Sequence, residues 1–414
     1  MSNSYFSLEY LATLLGVSYL TVYRWVRAGT LVAYKVGRQY RVDPDDFAAF
    51  MAKNQARSLQ NIAGSLDQFI RSGMLDYSYI ESRKFPIDLS LGINPLGAPF
   101  DVRKFLAKQK IDYSKYSSVT ATSLRKKIAH FHSLKPDQIL VGAGASELLH
   151  VSFLTFLNPN DQVLLPTTTF PAFEMLAILV RARCTFVDLK ENFDLDYQQI
   201  EHSISNQTKL VVLCNPNNPT GLGVNIAKTA QMIEKFPQVI FLVDEANIDF
   251  GGESLLLQIQ KLPNLVVARS FSKGFGLAGL RVGYLVAHAD LIYAMQRRQT
   301  PFMTNVAGQV VAEHALEFPK FLEKSKQYSQ EQRRWLAEEI KKMGLITLDS
   351  DSNYLLVDVR PSGLSSTQLI AKLNKAGANA IDGKDFRGLG TDYIRISPRD
   401  KKTNRKFMEI LKKV

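Results

Sequence analysis

Cysteine is nearly absent from this chain: Cys184 and Cys214 are the only two in 414 residues. Two cysteines cannot build a disulfide framework, and such scarcity suits a reducing compartment. No apolar run approaches the ~18 residues that a membrane-spanning helix needs. The first residues also lack the basic start and apolar core of a secretion signal. Internal repeats and low-complexity tracts are missing. Secreted, membrane-spanning, fibrous and disordered classes are thereby excluded, and a cytoplasmic protein is expected. Acidic residues fall short of basic ones, 39 against 51, leaving a net charge of +12. That excess favours polyanions or anionic small molecules as partners and says nothing of fold. What remains is ordinary for a globular protein, 46% hydrophobic and 22% charged. The length suits two or three domains.

The first fifty residues read differently from the rest. Leu8, Leu11, Leu14 and Leu15 mark one face of a short helix. Gly16 interrupts it, Ser18 is a suitable N-cap, and Val22, Trp25 and Val26 begin a second apolar stripe. Two short helices about a glycine-containing turn form a helix-turn-helix pattern. Residues 32–42 then read as a β-ribbon turning at Gly37, closed by a helix from Pro44 to Met51. These observations set a first domain at 1–52. Residues 53–84 read as a connector with one helix, Leu59 to Ile70.

From Phe85 onward, short apolar runs alternate with helical patterns. Strands are expected at 139–141, 162–165, 210–214, 239–243, 265–268 and 282–286, in an α/β sheet covered on both faces. A long helical stretch from Pro301 to Lys342 leads to two further strands at 353–359 and 393–396. The expected division is a large domain at 85–305 and a small α+β domain at 306–414.

Chemistry concentrates after the strand at 265–268. Ser270-Phe271-Ser272-Lys273-Gly274-Phe275-Gly276 runs on to Gly279 and Arg281. Polar residues following a strand sit at its carboxyl end, where α/β folds bind ligands. Two hydroxyls, a lysine, glycines and an arginine can hold a phosphate while presenting an amine. Gly142 to Glu147 joins a strand to a helix and offers backbone N–H groups to the same anion. Asp244 ends another strand, and Asn215-Pro216-Asn217-Asn218-Pro219-Thr220-Gly221 ends a third in a rigid turn. Cys214 reads as a small buried strand residue. His130, His132 and His150 have no metal-ligand spacing, and no metal is expected.

These ordered segments resemble the fold-type-I pyridoxal-phosphate enzymes, class I/II aminotransferases, over residues 85–414. The resemblance implies a homodimer with pyridoxal 5'-phosphate as cofactor, an amino donor and a 2-oxo acid acceptor. It makes Lys273 the amine that bonds the cofactor and moves the substrate's α-proton. Asp244 would keep the pyridine nitrogen protonated. Asn218 would bond the ring's phenolic oxygen, and Phe170 would stack on the ring. Ser270, Ser272 and Arg281, with the N–H groups of Ala145 and Ser146, would hold the phosphate. Tyr116 would reach the phosphate of the neighbouring subunit. Arg395 would take the substrate carboxylate as a bidentate pair. The nearest branches resemble histidinol-phosphate aminotransferase and threonine-phosphate decarboxylase. Asn94-Pro95-Leu96-Gly97 and the pair Arg395 and Arg399 resemble the latter, placing Asn94 and Arg399 at the substrate. Two positions depart from the pattern. Asn247 stands where the aminotransferases usually have a tyrosine, and Ile381 where both branches usually have a phosphate-binding arginine.

At the other end, Arg24, Arg27, Lys35, Arg38 and Arg41 occur without an acidic residue among them. A basic second helix followed by a basic ribbon suits a winged helix-turn-helix on double-stranded DNA. The segment resembles excisionase-type relatives of the MerR fold over residues 5–51. Ser18, Tyr19, Thr21, Tyr23 and Arg24 are candidates for groove contacts, and Arg38 and Arg41 for phosphates. Two functions are expected from this pairing: a transaminase carrying a DNA-binding module, or a transcription regulator sensing ligands through an aminotransferase fold. An amino-acid-phosphate decarboxylase would use the same Lys273 and Asp244.

Overall fold

A computed structural model describes residues 5–15, 17–37, 39–53 and 85–414. Arg38 and the expected helix at 59–70 lie outside the described residues. The chain divides into two compact units, 1–71 and 72–414.

In the first unit, Ser18 caps the helix Tyr19–Arg27, its hydroxyl accepting the Thr21 N–H at 3.2 Å. That cap replaces one bond the helix start lacks. Helix Leu8–Leu14 packs against it through Leu8, Leu11 and Val22, all nearly or fully buried, with Leu31, Val42 and Phe50 completing a small core. The ribbon forms as expected from β2 (Tyr34–Val36) and β3 (Gln39–Val42). Sequence reasoning missed a third strand, β1 (Phe6–Ser7), which pairs antiparallel with β3. At two residues it is too short to show periodicity. The closing helix runs from Pro44 to Lys53.

The second unit begins with β4 (Ile87–Asp88) and is built on a seven-stranded sheet. Its strands are β5 (Ile139–Gly142), β6 (Gln162–Pro166), β7 (Arg183–Val187), β8 (Thr208–Cys214), β9 (Ile240–Asp244), β10 (Leu265–Ser270) and β11 (Gly283–Ala287). They lie in the order β5-β11-β10-β9-β8-β6-β7. Neighbours from β10 through β7 are parallel, while β11 runs antiparallel to both β5 and β10. Alternate residues of one strand feed two cores: Phe241 and Val243 enter one, Leu242 the other. Burial on both faces explains why these strands read as unbroken apolar runs. Strand β7 was not anticipated; it is an edge strand whose Arg183 is exposed and whose apolar run is short.

The expected single helical stretch from Pro301 to Lys342 is two helices, Val306–Ala315 and Pro319–Lys341. Pro319 has no N–H to continue the first helix and opens the second at a position where none is needed. The smaller lobe carries β12 (Ile346–Thr347), β13 (Leu355–Asp358), β15 (Ile381–Asp382) and β16 (Tyr393–Ile396) in the order β12-β13-β16-β15. Short β14 (Ala378–Asn379) pairs parallel with β4, tying the lobe to the start of the unit. Leu355, Val357, Ile394 and Ile396 face a core shared with Leu336, Phe407 and Met408.

Candidate active site

The carboxyl ends of β5, β8, β9 and β10 meet at one edge of the large sheet. Gly142 of β5 pairs with Gly283 of β11, which pairs with Ser270 of β10. Ala268 of β10 pairs with Asp244, and Asp244 with Cys214 of β8. Asp244 and Ser270 end two of these strands, and the loops and helix start that leave them carry Ala145, Ser146, Asn218, Ser272, Lys273 and Arg281.

Lys273 lies on the loop after β10 with its amine buried, donating a 2.6 Å hydrogen bond to the Gly92 carbonyl. Burial, and then the nearby Arg395 guanidinium, bring its pKa down to about 8. Asp244 is also buried, and its Oδ1 accepts the Ala246 N–H at 3.0 Å. Burial pushes its carboxyl up to about 6, against the pull of that hydrogen bond and of Lys273. Two buried groups of opposite type thus share one low-dielectric space and are both shifted toward neutrality.

The helix Gly144–Phe156 starts beside them. Gly144 has φ +81, and a Cβ there would lie 2.5 Å from Arg281 Nη2. A Cβ on Gly283 would meet the Ala145 nitrogen at 2.6 Å. Only glycines allow the guanidinium and the helix start to approach this closely. Arg281 Nη1 donates to Ser272 Oγ at 3.4 Å, and the Ser272 N–H donates to Ser270 Oγ at 3.0 Å. The first N–H groups of a helix have no partner of their own. Two hydroxyls, a guanidinium and the free helix start form a cradle of donors that fits a phosphate. Lys273, Arg281 and Arg395 also outnumber Asp244 in mutual electrostatic contact, so the site is complementary to a bound anion.

Arg395 is buried on β16, donating to Asn218 Oδ1 at 2.7 Å and to the Ser90 carbonyl at 2.6 Å. Because the Asn218 oxygen faces a group that can only donate, its NH2 is turned away from Arg395. The rings of Tyr354 and Phe386 lie 5.2 and 5.7 Å from the guanidinium carbon. Asn247 is buried, its Nδ2 donating to the Tyr354 hydroxyl at 3.4 Å. Phe170 is partly buried and edge-on to Phe173 at 5.7 Å.

Three further expected site residues, Asn94, Arg399 and Tyr116, have contacts of their own. Asn94 gives its amide to the Gly274 carbonyl (2.7 Å) and to Ser325 Oγ (2.9 Å), so it grips the lysine loop and has no amide donor directed at a substrate. Gly276, at φ +65, would place a Cβ 1.9 Å from the Gly97 carbonyl, so the same segment buttresses that loop twice. Arg399 is held through its backbone N–H by Asn404 Oδ1. Tyr116 is 84% exposed and stacks on Phe302, open to solvent in the single chain.

Sequence reasoning missed the ion network behind Asp244. Arg269 bonds Glu245 and Asp249, each at 3.0 Å, and Asp249 also accepts the Gly274 N–H. Burial works against the Arg269 charge, but Tyr284 and the two carboxylates hold its pKa above the usual value. The signal was adjacency: Glu245 follows Asp244 and Arg269 precedes Ser270. Among the described residues, no group of three or more His, Cys, Asp or Glu could hold a metal ion.

The sequence profile described as Aminotransferase class I and II matches residues 86–411. The chain belongs to this family. A histidinol-phosphate aminotransferase 2 of Carboxydothermus hydrogenoformans is 32% identical over 74% of this chain and 84% of its own. The crystal structure of the histidinol-phosphate aminotransferase from Clostridium acetobutylicum matches with a TM-score of 0.74 and 27% identity, over 79% of this chain and 98% of its own. That of the Sinorhizobium meliloti enzyme, in complex with pyridoxal-5'-phosphate, matches with a TM-score of 0.75 and 21% identity, over 83% and 96%. The chain is a transaminase with pyridoxal 5'-phosphate as its cofactor, on the fold-type-I scaffold.

A second profile, Helix-turn-helix domain, matches residues 5–55, so the first unit carries a helix-turn-helix domain. On it, Tyr19, Arg24 and Arg27 are exposed along the second helix, as is Lys35 on the ribbon. Tyr19 and Tyr23 stack at 6.2 Å, and Tyr23 meets Tyr40 of the ribbon edge-on at 6.0 Å. Ser18 and Thr21 bond each other at 2.9 Å in the cap. Arg41 is held by Gln39 and the Tyr40 carbonyl. No described helix is long and apolar enough to cross a membrane.

Proposed function

We propose that this chain transfers the amino group of an amino acid to a 2-oxo acid, as a cytoplasmic homodimer, and that its first unit binds double-stranded DNA. The observation that carries the catalytic reading is the part-buried Lys273 with the buried Asp244, beside the donor cradle of Ser270, Ser272 and Arg281.

Bound there, pyridoxal phosphate supplies the electron sink that stabilises the carbanion left when the α-C–H bond breaks. The chain's residues do the rest. The cradle and the N–H groups of Ala145 and Ser146 hold the phosphate. Asp244 keeps a proton on the ring nitrogen; in the presence of that cation its own carboxyl is held ionised. The Asn218 NH2, turned away from Arg395, is a donor for the phenolic oxygen, and Phe170 packs on the ring. Arg395 orients the amino acid by its carboxylate. Lys273, more readily deprotonated at a pKa of about 8 than an ordinary lysine, takes the α-proton on Nζ in its neutral form and returns it on the other side of the transfer. Asn94 and Asp249 hold the loop that aims it. Tyr116 completes the phosphate site of the partner subunit.

Lys273→Ala should remove the visible absorbance of covalently bound cofactor and lower turnover by at least 10⁴-fold, the scale lost with a covalent catalytic group. Wild-type-like turnover in that variant overturns the assignment. If the protein releases carbon dioxide from an amino-acid phosphate while its cofactor stays unconverted, the decarboxylase reading replaces it. DNA fragments retained in a gel shift, with affinity falling as salt rises, would support the role of the first unit.

A further inference from the structure

The antiparallel register of the small sheet fixes what surrounds Arg395. Leu356 of β13 and Ile381 of β15 are both its direct partners, one on each side. Residues directly opposite across an antiparallel pair project to the same face. Leu356, Arg395 and Ile381 therefore form one row across the face that holds the site. The rings of Tyr354 and Phe386 lie against the Arg395 guanidinium, and Leu389 joins Leu356, Ile381 and Phe386 in a single apolar cluster.

The two cations between β15 and β16, Lys384 and Arg387, each have a carboxylate partner. Lys384 is half-exposed and lies 3.7 Å from Asp382, which points to the opposite face and bonds Ser366 and Thr367. Arg387 is paired with Glu174. Asp385 is the further charge felt by Arg395, and it is acidic. A dianionic phosphate placed beside Ile381 would lose its water and meet leucine, isoleucine and phenylalanine, which offer it no hydrogen bond.

We infer that the amino donor is an amino acid with an uncharged, apolar side chain, aliphatic or aromatic, and that the row Leu356–Ile381 with Phe386 selects it. This rests on the transaminase reading above. Arg395 takes the single carboxylate, and the apolar row takes the side chain.

The test mixes the full-length, cofactor-loaded protein with leucine, phenylalanine, histidinol phosphate and threonine phosphate, following the cofactor's absorbance. The apolar donors should convert it with kcat/KM at least tenfold above either phosphorylated one, the scale that pocket apolarity supports. Ile381→Arg should reverse the order, raising histidinol phosphate and lowering leucine by tenfold or more. Wild-type preference for a phosphorylated donor overturns the inference while sparing the transaminase. Conversion by none of the four overturns both. Should Ile381→Arg fail to fold, the wild-type ranking alone decides.

Discussion

At the scale of single residues, the site is governed by what burial does to two charges. Lys273 is pulled down to about 8 because desolvation disfavours its ammonium form and Arg395 repels it. The amine therefore becomes nucleophilic as pH rises through about 8 rather than through the ordinary ~10.4 of lysine. The rate at which cofactor-free protein captures pyridoxal phosphate should rise through that midpoint and level off above it; stopped-flow absorbance at a series of pH values checks this. Asp244 shifts in the other direction, up to about 6, for the same reason. The proximity of the two matters as much as their identity, since each moderates the shift of the other. Identity was legible in the sequence, because motif order placed both residues. The shifts were not, because they depend on which strand ends become neighbours.

At the scale of elements, a pair of loops sets the lysine's aim. The segment Asn94–Gly97 grips the loop Lys273–Gly276 through the Asn94 amide and through the contact of Gly276 with the Gly97 carbonyl. Gly276 has both a left-handed φ and no space for a side chain. Gly276→Ala should destabilise the large unit by about 1–3 kcal/mol through strain and overpacking. Thermal unfolding should show a lower Tm, and cofactor should dissociate faster because the lysine loop shifts. An unchanged Tm would remove the clamp from the account. Asn94 illustrates how a motif legible in the sequence takes up contacts that only the fold sets. The sequence marked Asn94-Pro95-Leu96-Gly97 as special, and the fold spends it on a loop 180 residues away.

At the scale of the whole molecule, a transaminase unit and a DNA-binding unit share one basic chain. On our proposal the first unit meets DNA with the exposed side of helix Tyr19–Arg27 and the ribbon, and Ser18 and Thr21 bond each other in the helix cap. Arg24→Ala should weaken DNA binding by about 1–3 kcal/mol at fixed salt if it meets a base, or reduce the salt slope by about 1 if it meets a phosphate. In either case the half-reaction of the second unit should be unchanged, a comparison that gel shift and stopped-flow absorbance make on one protein preparation. A concurrent loss of half-reaction rate would show that the substitution damages more than the DNA surface.

The sequence by itself determined the class of fold, the cofactor and most of the residues around it. Strands buried on both faces must read as apolar runs, and the lysine, aspartate and glycine loops keep their order along the chain whatever their packing. It also determined the Ser18 cap, a local hydrogen bond across three residues. Tertiary structure alone decided the rest. The two-residue strand β1 and the edge strand β7 exist because a neighbouring strand offers bonds, so their own residues hold little signal. The Arg269–Glu245–Asp249 network joins positions up to 24 residues apart. The apolar row about Arg395 comes from three strands brought into register. Side-chain chemistry is written residue by residue, but which groups share a dry space is set by pairing across a sheet.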